Sequence, residues 1–181
     1  MNRIKLLTIA VATMVLGSTA VAAEDKYTLK VPNGLAFSEF KGYENWQLVS
    51  VSEDGGKLAA ILANPAMIEA YRAGVPGNGK PFPDGAKMAK IHWTPKKLET
   101  FPAATVPDTQ HDVDFMVKDS KRFADSGGWG YGTFDYDVAA GAFKPGTLAS
   151  TPPQANDAKC GFACHTIVKS RDFVFTDYGK R

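Results

Sequence analysis

The chain has 181 residues, of which 44% are apolar, 22% charged and 11% aromatic; this is the composition of a folded globule and excludes a disordered tail. Basic residues outnumber acidic ones by 21 to 19, but Arg3 and Lys5 both precede the apolar run 6–16 at the amino terminus. Without that leader the charges balance at 19 each and no lysine or arginine run remains, which gives no basis for nucleic acid or an anionic membrane as partner.

Residues 1–23 carry two cations, a short apolar run and the small residues Ala20, Ala22 and Ala23, the pattern of a secretory signal peptide. No later segment approaches the roughly 20 apolar residues of a spanning helix. The expectation is a protein exported to the periplasm, with residues 24–181 forming one domain of a size that buries a real core.

Residues 46–52 (WQLVSVS) alternate apolar and polar side chains and end in the turn residues Glu53, Asp54, Gly55 and Gly56, so they predict a strand, and 57–63 predict its continuation as a second. Asn64 and Pro65 suit a helix start, and Met67, Ile68 and Tyr71 share one face up to Gly74, which predicts a helix over 65–73. The glycine- and proline-rich stretch 74–85 is an expected loop.

A strand over 86–93 places Met88, Lys90 and His92 on one face, and Lys87, Ala89, Ile91 and Trp93 on the other. Residues 111–117 (HDVDFMV) predict another strand. In 127–138 Trp129, Tyr131 and Thr133 oppose Gly130, Gly132 and Phe134, and the glycines would let something flat approach the backbone. "GGWGYG" lacks the lysine and hydroxyl residue of a phosphate loop. Residues 144–157 read as a connecting loop. The overall expectation is an α+β fold, mainly antiparallel β-sheet with a few short helices.

The only two cysteines fall in Cys160-Gly-Phe-Ala-Cys164-His165. Two thiols followed at once by an imidazole is the pattern of a covalent haem c anchor, although the common spacing is one residue shorter. An even cysteine count in an exported chain also reads as a disulfide, yet so small a loop makes a poor staple and leaves His165 unexplained. Spacing alone leaves both open. His92 and His111 lie in predicted strands without the paired spacing of a zinc site, and a lone strand histidine reads as a hydrogen-bonded core or surface residue.

Three blocks, "NPAMIEAYRAGVPGNGKPFPDGAKMAKIHW", "VKDSKRFADSGGWGYGTFDY" and "CGFACHTIVKSRDFVFT", resemble in order the cytochrome P-460 family, which includes the cytochrome c-prime-beta group. The resemblance implies a single β-rich domain, usually a homodimer, that holds haem c through two thioethers and an axial histidine. Carried over, Cys160 and Cys164 are the thioether positions, His165 is the iron ligand, and Lys90 matches a lysine that some members bond to the porphyrin. Members with that bond oxidise hydroxylamine; the cytochrome c-prime-beta group lacks it and binds nitric oxide. A haem-free periplasmic domain with a Cys160–Cys164 disulfide is the remaining alternative.

A lysine on a half-exposed strand points to water by default. Facing a buried haem, Lys90 would lose solvation and could present a neutral amine to an oxidised porphyrin. No methionine or second histidine stands out as a further iron ligand, so the iron is expected to be open to hydroxylamine or nitric oxide, with an electron-accepting cytochrome as a partner. Asp112 and Asp114 alternate on one face of their strand and are the candidate catalytic bases, although such residues also suit a solvated face. Ala59 stands where some members have an arginine, which predicts an apolar wall at that point.

Overall fold

The computed structural model describes residues 25–32, 35–148 and 161–181. The leader 1–23 and Cys160 therefore lie outside the described residues. Six antiparallel strands form one sheet in chain order: β1 (Gln47–Asp54), β2 (Lys57–Ala63), β3 (Lys87–Leu98), β4 (Phe101–Lys118), β5 (Trp129–Asp137) and β6 (Ala142–Pro145). The expected α+β class with a mainly antiparallel sheet is what the chain adopts.

Between β2 and β3 runs helix α1 (Pro65–Arg72). Asn64 caps it, its Oδ1 accepting from Met67 N at 3.2 Å and from Lys87 N at 3.0 Å, while its Nδ2 donates to Gly85 O at 2.9 Å. One side chain thus starts the helix and fixes the entry to β3, with Pro65 supplying a helical φ and no orphan N–H. The apolar stripe Met67, Ile68 and Tyr71 is buried against the sheet.

Each sheet face has its own core. On one, Ile61, Ala63, Met88, Met116, Trp129 and Tyr131 meet α1 and the C-terminal segment. On the other, Ala89, Ile91, Val113, Phe115, Val117 and Phe134 are covered by the segment before β1, whose short 3-10 turns Phe37–Phe40 and Tyr43–Asn45 supply aromatic rings. Phe40 stacks on Phe115 with centroids 4.1 Å apart, and Phe37 meets Phe134 edge-on at 4.8 Å.

Three expectations are corrected. β3 and β4 run well past the predicted 86–93 and 111–117, pairing as a two-stranded arm in which Pro95 faces Pro107. Prolines suit such an arm, where no third strand demands their missing N–H. The flat object is the Phe123 ring, and only against Gly130, where a Cβ would lie 2.3 Å from it; Gly132 meets the aliphatic Leu35 instead, both on the sheet face away from His165. Lys144 and Pro145, the first residues of the expected loop 144–157, belong instead to β6, which pairs with β5.

The segment that carries Cys164 makes one helical turn, α2 (Phe162–His165), and continues as a 3-10 helix Thr166–Arg171. Asp172 and Phe173 then take left-handed backbone angles, φ 50° and 63°. Such angles are strained in residues with a Cβ and persist only when neighbours over-determine them. Here Asp172 accepts from Phe82 N at 2.8 Å and pairs with the buried Lys118 at 2.6 Å.

Candidate haem pocket

Antiparallel register sorts the inner sheet face into transverse rows. One holds Ala63, Met88, Met116 and Tyr131; the next Ile61, Lys90, Asp114 and Thr133; the third Ser52, Ala59, His92, Asp112 and Asp135. The face therefore grades from apolar to polar along the strands.

At the apolar end lies a cavity of about 400 Å³ lined by Met88, Met116, Val174 and Phe175 together with Cys164 and His165. His165 sits between Tyr131 and Phe175, ring centroids 5.0 and 5.1 Å away. Its Nδ1 lies 2.6 Å from Phe173 O. A carbonyl only accepts, so Nδ1 carries the proton and Nε2 keeps its lone pair. Burial holds the His165 pKa below its ordinary value, the bond to Phe173 opposes this, and the Lys90 charge adds to the lowering. A neutral, oriented imidazole beside a thiol at an apolar cavity is the donor set that a covalently anchored haem requires.

Lys90 and Asp114 reach the wall of this cavity and also that of a second, of about 620 Å³, which His92, His111, Asp112 and Asp135 line. Thr133 Oγ1 donates to Asp114 Oδ1 at 2.6 Å. Burial pushes the Asp114 pKa up and the Asp112 charge adds to this, against the Thr133 bond and the His92 charge. Asp112 behaves oppositely. Burial would raise it, but bonds to His92 and His111 and the Lys57 charge bring it down to about 2. His92 Nδ1 bonds Asp112 closely and lies 3.7 Å from Asp114 Oδ2, while His111 Nδ1 is 2.5 Å from the other Asp112 oxygen.

Lys90, Cys164 and His165 thus share one cavity, with Asp114 also in its wall; Asp112 opens only onto the second, and Cys160 lies outside the described residues. Both aspartates are inward-facing rather than on a solvated face, their side chains 9% and 16% exposed. The expected apolar wall at Ala59 fails, because its row neighbours are Ser52, His92 and Asp112, and its small side chain leaves the second cavity open. Sequence reasoning also missed Met88 and Met116 as thioethers beside His165, although the alternation of β3 already placed Met88 with Lys90.

Among the described residues, no helix is long and apolar enough to cross a membrane. No curated protein matches the chain. The sequence profile described as cytochrome P460 matches residues 40–176, from Phe40 of the outer core to Thr176 beyond the His165 carbonyl partner. That match spans the whole sheet, both cavities and the imidazole, and the chain accordingly belongs to the cytochrome P460 family, whose members bind an iron haem.

Proposed function

We propose that this is a periplasmic haem c protein that oxidises hydroxylamine, with Cys160 and Cys164 as thioether anchors and His165 Nε2 as iron ligand. The observation that carries the reading is the joint presence of Lys90, Asp114, Cys164 and His165 around one cavity. Haem bound there would supply one-electron chemistry and an open iron position. The chain's own part is to orient and to take protons. Phe173 O fixes the His165 tautomer. Lys90, in the cavity wall, would offer an amine to the haem, and Asp114, held between Thr133 and His92, has the raised proton affinity suited to accepting protons that an oxidised substrate releases. Met88, Met116 and Val174 give the His165 side an apolar wall.

The alternative is nitric oxide binding without a Lys90 bond, which the thioether-rich apolar end favours. Export from a host able to attach haem c, followed by mass spectrometry and peptide mapping, tests the proposal. A mass equal to the bare chain 24–181 overturns the haem c assignment. A modified Lys90 with a red-shifted ferrous Soret band supports the oxidase, and an ordinary c-type Soret supports the nitric oxide protein. A ferrous spectrum unmoved by nitric oxide overturns the open iron. The reading also includes a homodimer, checked by sedimentation, and an electron-accepting cytochrome.

A further inference from the structure

His92, Asp112 and Asp114 are separated in sequence, and nothing in their spacing marks a metal site. Register brings them together: β3 and β4 pair so that His92 faces Asp112 and Lys90 faces Asp114. One ligand atom from each of the three lies within 4.8 Å of the others, all at the wall of the larger cavity. Bonds of about 2.1 Å around a four- or six-coordinate zinc-like ion set adjacent ligand atoms about 3–3.4 Å apart, so small side-chain rotations suffice.

The surroundings favour a cation. Asp54, Asp112, Asp114 and Asp135 line this cavity against only Lys57 and Lys90. His111, with its ring nitrogen 2.5 Å from Asp112 Oδ2, adds a second imidazole at the edge. In the same transverse row, Ser52 Oγ is shielded from solvent and has no hydrogen-bond partner among the described residues. The Lys57 ammonium, 3.5 Å from Asp112 Oδ2, takes part of the place a metal would fill.

We infer that His92, Asp112 and Asp114 form a second metal site, beside the haem pocket, for a divalent first-row transition-metal cation. One imidazole and two carboxylates suit zinc, manganese or ferrous iron. Carboxylates and imidazole coordinate only when deprotonated, so affinity rises with pH and cation uptake releases protons. Asp114 also lines the haem cavity, and a cation that holds it withdraws the proton acceptor proposed above. The site is thus inhibitory. That consequence rests on the hydroxylamine reading, whereas metal binding itself does not.

Zinc is the probe. The exported full chain, with its haem and without an affinity tag, is stripped with chelator and dialysed against zinc at neutral pH, and zinc and iron are counted separately by elemental analysis. The expected result is one saturable zinc per chain, with affinity lowered about 10- to 100-fold in Asp112→Asn, Asp114→Asn and His92→Ala and raised in Lys57→Ala. Both asparagine variants are isosteric and keep the test valid if His92→Ala does not fold. Calorimetric titration in two buffers of different ionisation enthalpy should report proton release. Absence of saturable zinc, or undiminished affinity in both asparagine variants, overturns the site. A chain without iron that still binds zinc removes the haem reading and leaves this one standing.

Discussion

Asp112 and Asp114 point to the same side of β4 and are two residues apart, yet their neighbours drive their proton affinities in opposite directions. In the folded chain Asp112 stays ionised down to about pH 2, whereas its ordinary value is 3.8. It contributes stability that is complete above pH 3.8 and lost as pH falls towards 2, a gap worth about 2 kcal/mol. Asp112→Asn should therefore lower the unfolding free energy by about 2 kcal/mol at pH 7 in denaturant titrations, with the deficit closing by pH 2. The raised Asp114 has the reverse sign. Its contribution is complete below pH 3.8 and is lost as pH rises through its folded value, so Asp114→Asn should be more stable than the parent at pH 7 and equal to it below pH 3.8. The alternation of HDVDFMV placed both residues on one face, but their depth and opposite titration depend on β3 and β5, which no local pattern encodes. Gly130 was legible as a close approach and not as to what approaches. A methyl there would overlap the Phe123 ring, and Gly130→Ala should cost about 1–3 kcal/mol by thermal denaturation.

At the scale of elements, strong local chemistry was readable. The bounds of β2 and the start of α1 follow from the turn residues that precede Lys57 and from the Asn64-Pro65 pair. Asn64→Ala removes a helix cap and two tethers to the entry of β3 and should lower stability by at least about 1–2 kcal/mol, measured by urea unfolding. The β3–β4 arm was not readable, because Pro95, Pro102 and Pro107 argue against strand when taken one at a time, and only their pairing in a free ribbon makes them compatible. Most residues of the arm are exposed and the two cores lie elsewhere. Replacing 96–106 with a two-residue turn should leave the melting temperature and haem content close to those of the full chain. The outer core was missed for a different reason: its rings sit on 3-10 turns, which have neither the period of a helix nor that of a strand, although Phe37, Phe40, Tyr43 and Trp46 in ten residues are a compositional signal of burial.

In the whole molecule, one sheet separates two tasks. The outer aromatic face supplies cohesion, and the inner face grades from thioethers and aromatics near His165 to carboxylates and imidazoles near His92. The gradient runs along the strands, so it exists only because β2 to β5 keep register over three rows, and no single strand carries it. Phe115→Ala, which deletes a ring in contact with Phe37, Phe40, Tyr43 and Phe134, should cost about 3–5 kcal/mol in equilibrium unfolding without touching the inner donors. The left-handed pair Asp172-Phe173 has a wider reach. Lys118, at the far end of β4, grips Asp172, and the next residue's carbonyl holds the imidazole. A chain ending at Arg171 would keep Cys164 and His165 but forfeit the rein on that ring; if His165 is the iron ligand as proposed, the metal of such a pigment would swap its protein donor for solvent.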